Sequence, residues 1–487
     1  MRTTPPTLLQ LAAQSLLENP ALAVSALEEL PCDLFPLLFL EALNRRHMEL
    51  LKAMVQAWPF PCLPLGPLLS RQDQEPLQMA LDGLDMLLAQ KDRPRRCKLQ
   101  VLDLTKEHQS FWDVWPGAID TDCSQPAPKR RRNQLMGAVP GPGEQQPLRV
   151  TVDLSLKRCD ENEPQNYLFE WAGQKKCLVQ LCCRKLQIWE HCYCNVISEL
   201  HQFSFLDPLE LMYMEEVEVN CPLSLSTLAM FAPYLGKMRN LQKLFLSHIY
   251  VPECMSSKKR MERATVFISQ FSNFCHLQQL YMNRVSFLQG NLYQILRSLK
   301  TPLETLSITH CRLRKSDLKC LPRCLSTRQL THLSLKGVSL IPGRPGLLRV
   351  LLEQLAATLE ILNLEDCGIE DSHLTAILPA LSHCSKLTKL CLYGNYISLA
   401  ILKNLLCHTA SLSQLCLELY PVPLETYEGP NDLRTQRGSL YCAELMDTLR
   451  AIRQPKMVSF GVEPCPQCGY RCFYYMDSTL HCSRRPA

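Results

Sequence analysis

Residues Leu387 to Ile397 read LTKLCLYGNYI, which fits L-x-x-L-x-L-x-x-N-x-L with Ile in the last place. A single match means little in so leucine-rich a chain, so the neighbouring sequence decides. LEILNLEDCGI, Leu359 to Ile369, repeats the pattern with Cys367 where Asn395 stands, and LETLSITHCRL, Leu303 to Leu313, repeats it with Ile308 and Cys311. Looser copies start at Leu241, Leu277, Leu330 and Leu412. The start-to-start spacings are 36, 26, 27, 29, 28 and 25 residues, a near-constant period. Each copy makes a short strand with its leucines turned inward, an Asn or Cys turned inward to bond neighbouring backbone, and a following helix. One copy cannot bury its own apolar face, so the copies stack. The expected fold class is α/β, a leucine-rich-repeat solenoid (horseshoe) with an N-terminal helical cap. Weaker copies at Leu99, Leu178 and Val217 place its start near residue 97.

Three regions follow: N-terminal helices over 1–96, the solenoid over 97–455, and a cysteine-rich tail over 456–487. Residues 116–148, PGAIDTDCSQPAPKRRRNQLMGAVPGPGEQQPL, have no apolar period and are expected to be a disordered loop. Lys129, Arg130, Arg131 and Arg132 in this loop are either a nuclear-import signal or anion contact, or a solvated charge run.

The whole chain of 487 residues is 46% hydrophobic and carries 52 basic against 47 acidic residues, a net +5. That balance gives no strong nucleic-acid signal. No apolar run reaches the ~18–20 residues that span a bilayer, so no direct membrane contact is expected, and the N-terminus lacks the pattern of a secretory signal. The 26 cysteines, many inside leucine stretches, then read as reduced buried thiols of a cytoplasmic and nuclear protein. Phosphate-loop, dinucleotide, nucleophile-elbow and zinc-protease motifs are absent from the sequence. A binding surface is expected rather than catalysis, and the strand residues between the leucines place it on the concave face. Phe245, Tyr281, Asn283, Lys336, Glu365 and Tyr393 are its candidates, the aromatics as anchors for an unidentified target protein. In the tail, Cys465 and Cys468 form a C-P-x-C-G turn that aims two thiolates at one point. One structural zinc completed by His481 and Cys482 is expected, with Cys472 as another ligand and unligated thiols as the rival.

Near the start, Leu8, Leu11, Ala12, Ser15 and Leu16 share one helix face. A cap on the first repeat would explain that face. However, Thr7, Leu8, Ala12 and Leu16 also match the spacing of an elongin-binding box, with Ala12 in place of its usual Cys. Leu30, Pro31 and Leu34 resemble the cullin box that follows at this distance. Collinear segments along the chain resemble the family of the preferentially expressed antigen of melanoma (PRAME): LLQLAAQSLL, LKAMVQAWPFPCLPLGPLL, GLDMLLAQKDRPRRCKLQVLDL, FAPYLGKMRNLQKLFLSHI, LYPVPLETYE and CPQCG. The resemblance implies a substrate receptor of a cullin-2 RING ubiquitin ligase. It would be recruited through elongin C and elongin B and would assemble with cullin 2 and a RING protein, promoting proteasomal degradation of a target. It also implies an alternative, a corepressor of nuclear (retinoic acid) receptors acting on differentiation, apoptosis and proliferation. L-x-x-L-L helices would serve that alternative, and such matches begin at Leu34, Leu65, Leu84, Leu348 and Leu402.

Overall fold

The computed structural model describes residues 8–69, 75–90, 93–105, 111–112, 147–156, 164–175, 178–189, 203–340, 346–428, 434–464, 470–474 and 480–486. They form two compact units. The first comprises Met1–Leu154, Cys159–Lys185 and Ser204–Glu210, and the second the remainder.

In the first unit, helices α1 (Leu8–Leu17), α2 (Pro20–Ala26), α3 (Leu34–Asn44), α4 (Met48–Gln56) and α5 (Glu75–Ala89) come early. Asn19 caps α2 by accepting a hydrogen bond from the Leu22 amide at 3.2 Å, with Pro20 in the first turn where its missing N–H costs nothing. Helix α3 is apolar on nearly every side and is therefore central. Its Phe35 and Phe39 meet the Trp58 ring edge-on at 6.1 and 5.4 Å. Gly83 lets α5 lie against α4, because a Cβ there would sit 3.0 Å from the Lys52 carbonyl oxygen. Strand β1 (Cys62–Pro64) pairs in parallel with β2 (Val101–Asp103), and β2 with β3 (Leu148–Leu156), while β4 (Val179–Trp189) comes next in order. The first rung thus lies before residue 97. Its three residues, CLP, are too few to carry the repeat pattern. Leu148 opens β3 rather than ending the inserted loop, whose residues 116–146 lie outside the described residues.

The second unit contains β5 (Glu216–Ser224), β6 (Lys243–Tyr250), β7 (Gln279–Asn283), β8 (Thr305–Thr309), β9 (His332–Ser334), β10 (Ile361–Asn363), β11 (Lys389–Cys391), β12 (Leu417–Pro421) and β13 (Met457–Gly461). Each is parallel to the next. The register puts Leu244, Leu280, Leu306, Leu333, Leu362 and Leu390 in one row, every one fully buried. This is the leucine-rich-repeat solenoid that the period implies. Helices return between the strands, and Ser224, Ser256 and Ser398 cap three of them by accepting from the backbone three residues on.

Asn395 shows why the repeat needs its polar position. Its Oδ1 accepts from the amides of Cys367 at 3.2 Å and Ile369 at 2.9 Å, and its Nδ2 donates to the carbonyls of Leu364 and Leu392, both at 2.8 Å. Buried backbone that leaves the strand ladder is satisfied this way. Cys367 is the lesser version: its thiol donates to the carbonyls of Leu335 at 3.1 Å and Glu365 at 3.4 Å. One residue earlier in each copy the backbone turns left-handed, at Arg284, His310, Gly337, Asp366 and Gly394, with φ from 51° to 68°.

The tail is not separate from the repeats. Strand β13 continues the parallel series, and β14 (Tyr470–Tyr474) and β15 (Leu480–Pro486) then run antiparallel. The boundary at 455/456 therefore falls just before a strand that is hydrogen-bonded to β12.

Candidate functional site

Helix α1 divides its residues between two environments. Ala13 and Leu17, four residues apart, are 0% and 3% exposed, and α1 packs on α3. Leu8 is 87% exposed, Leu11 and Ala12 are exposed, and Leu16 is half-buried. The helix therefore does cap its own unit, and it still leaves an apolar edge with Leu8 and Ala12 in open solvent. Thr7 lies outside the described residues.

The cullin-box residues separate. Pro31 is exposed and Leu30 half-buried, but Leu34 is 6% exposed and belongs to the aromatic core around α3. Leu34 is corrected from a contact residue to a core residue, because α3 turns it inward with Phe35 and Leu38. Arg96 fixes the chain before it, donating to the carbonyls of Glu28 at 2.8 Å and of Leu30, with its guanidinium 5.0 Å from the Phe35 ring centre.

In the second unit Phe245, Tyr281 and Asn283 lie on β6 and β7, while Lys336, Glu365 and Tyr393 lie two residues past β9, β10 and β11. Phe245 and Tyr281, register partners on β6 and β7, stack with centroids 4.1 Å apart and planes 6° from parallel. Partial burial pushes the Tyr281 phenol up, with the nearby Thr305 side chain opposing and the Glu216 charge adding to it. On the next strand the Thr309 hydroxyl donates to the Asn283 side-chain Oδ1 at 3.1 Å. Lys336 and Glu365 form an ion pair at 3.4 Å.

Tyr393 requires a correction. It is 7% exposed, donates to the Ser459 hydroxyl at 2.7 Å, and lies 5.3 Å from the Phe473 ring. The tail strands cover it. Over the same end lies Arg471, which sequence reasoning missed. It is 1% exposed and donates to Asp366 at 2.9 and 3.2 Å, to Glu365 at 3.4 Å and to the Val462 carbonyl at 3.2 Å. Glu365 is thus engaged on both sides, and of the candidate aromatics only the half-buried Phe245–Tyr281 pair keeps access to solvent. The one available signal for Arg471 was a lone arginine within the aromatic strand pattern YRCFYY.

Lys129 to Arg132, Cys465 and Cys468 lie outside the described residues. His481 and Cys482 are successive positions of β15, opposite Phe473 and Cys472 respectively. Cys472 and Cys482 occupy a cross-strand pair of positions on β14 and β15. Among the described residues, no three His, Cys, Asp or Glu side chains gather as a metal site. The L-x-x-L-L segments are mostly core: all three leucines of Leu34–Leu38 and of Leu402–Leu406 are buried, and each of the other three segments buries at least one.

The molecule is a leucine-rich-repeat solenoid protein offering an exposed apolar helix edge and an aromatic strand-face pair. Models of the PRAME N-terminal and C-terminal domains match residues 5–112 and 148–483. Human PRAME family member 12 is 50% identical over 98% of this chain and 97% of its own length. Human PRAME family member 8 is 48% identical over 98% of each chain. The chain belongs to the PRAME family. Among solved structures, an internalin from Listeria monocytogenes overlaps 51% of this chain and 68% of its own, with a TM-score of 0.31 and 13% identity. Among the described residues no helix is long and apolar enough to cross a membrane.

Proposed function

We propose that this protein is a substrate-recognition subunit of a cullin-2 RING ubiquitin ligase, recruited through elongin B/C, that presents a bound protein for degradation. The observation that carries this reading is the exposed edge of α1. Leu8 stands in solvent with Ala12 one turn behind it, while the opposite edge of the helix is packed. A leucine knob beside a small residue suits insertion into an apolar groove on a partner. Pro31 and Leu30 remain the accessible part of the cullin contact, and the Phe245–Tyr281 stack is the anchor for the target. The protein's contribution is positioning, and the transfer of ubiquitin belongs to the ligase machinery. The corepressor route through L-x-x-L-L helices has no fully exposed leucine triplet among the described residues, and is not preferred. One structural zinc on Cys465 and Cys468, closed by His481 and Cys482 or with Cys472 as another ligand, belongs to the same proposal as a staple for the tail.

The test is Leu8→Ala. A central apolar anchor costs at least ~2 kcal/mol when truncated, so capture of purified elongin B/C should weaken by about tenfold or more. The melting temperature of the free protein should stay the same, since Leu8 has little buried contact to lose. Unchanged capture per folded molecule would remove the reading.

A further inference from the structure

Beyond the carboxyl ends of β6, β7 and β8 the second unit holds a cleft of about 510 Å³ that none of the docking surfaces above uses. Its walls include Glu253, Arg260, Arg284, Ser286, His310 and Arg312. Arg284 and His310 directly follow β7 and β8, and Arg260 lies in the first turns of the helix Ser257–Ile268.

Four features of this cleft point the same way. Arg284 and Arg312 are exposed, and none of the three arginines forms an ion pair among the described residues. The one side-chain bond of the set runs from Arg260 to the Ser286 carbonyl at 3.5 Å. Arg284 and His310 hold left-handed backbone, φ 51°, at the repeat position where Gly337 and Gly394 stand in other copies, so bulky cationic and imidazole side chains are kept where glycine is easier. The helix Ser257–Ile268 opens with Lys258, Lys259 and Arg260 and has no acid in its first turn. Cations there oppose the helix dipole, and of the three Arg260 lines the cleft. Burial, together with the charges of Lys336 and Arg284, holds the His310 imidazole below its usual range, against the smaller opposing pull of Asp366 and Glu365. The cleft lining itself holds three arginines against one carboxylate, Glu253.

We infer that this cleft binds the phosphate of a phosphorylated serine or threonine in a peptide segment of a partner protein. Three arginines line this one cleft, and each guanidinium offers a planar pair of donors to phosphate oxygens. A nucleic acid would need a basic stripe to follow its continuing charge, and here Glu253 is among the residues lining the cleft and the whole chain carries only +5. The inference extends the target-binding reading to what the target carries. It does not depend on elongin docking, because the cleft and α1 belong to different parts of the chain.

The experiment uses the full chain without elongins. A fluorescein-labelled degenerate nonapeptide pool with central phosphoserine is compared by anisotropy with the same pool unphosphorylated. The phosphorylated pool should bind at least tenfold tighter. Arg284→Gln with Arg312→Gln should abolish that difference, and Arg284→Lys should lose part of it by keeping the charge without the fork. Arg450→Gln, at an exposed site on the helix Thr435–Ile452, should change nothing. Circular dichroism melts establish that each variant is folded. Equal binding of the two pools, or an equal loss with Arg450→Gln, overturns the inference. So does a single-stranded RNA that binds through the same arginines and displaces the phosphopeptide.

Discussion

Asn395→Ala removes the polar residue that closes one repeat onto the next. Asn395 is 5% exposed and makes close bonds to two amides and two carbonyls that lie outside the strand ladder. The alanine leaves the amides of Cys367 and Ile369 without this acceptor. A buried group left unpaired costs about 1–3 kcal/mol, so two amides alone imply roughly 2–6 kcal/mol, and we expect about 3–5 kcal/mol. Cys367 supplies an internal scale at the same position of the preceding copy. Its thiol makes only two weak donations, so Cys367→Ala should cost about 1–2 kcal/mol. Global melting is the poorer assay, since two compact units need not unfold together. Native-state hydrogen exchange at the Cys367 and Ile369 amides reads the opening locally. The reasoning is refuted if Asn395→Ala costs less than about 1 kcal/mol, or no more than Cys367→Ala.

Two further outcomes follow from the core. Leu362→Ala, in the middle of the buried leucine row, should destabilise the second unit by about 2–5 kcal/mol in a urea titration, and a cost near zero would contradict the inward row. Burial pushes the thiols of Cys62 and Cys182 up to about 12 and those of Cys311 and Cys384 up to about 11. Iodoacetamide at neutral pH, followed by peptide mass spectrometry, should therefore label exposed Cys254, Cys275 and Cys407 and spare those four.

The sequence made the repeats plain because each one commits its leucines and its Asn or Cys at fixed positions, and those positions are set by local geometry. The rungs at the two ends were illegible for different reasons. Cys62–Pro64 is too short for any period, and MVSFG and YRCFY, which make β13 and β14, carry neither the repeat pattern nor a clean alternation. Long-range register explains the rest. Tyr393 sits two residues past β11, at a repeat position that is half-buried in the other copies, and nothing near it in sequence announces that Arg471 and Phe473 return to cover it. Phe245 and Tyr281 were each readable as outward residues, but their stacking depends on the unusually long 36-residue spacing between their copies still giving matched register. Leu34 matched a docking motif and packed inward because α3 has apolar residues on almost every face, so a motif leucine there had no open side to occupy.

Hydrogen–deuterium exchange of the full chain, alone and with purified elongin B/C, tests the central claim most directly. The account predicts slowed exchange over 8–17, with amides of β6 to β8 unchanged. Unaltered exchange in α1, or protection confined to the strands of the second unit, would contradict it.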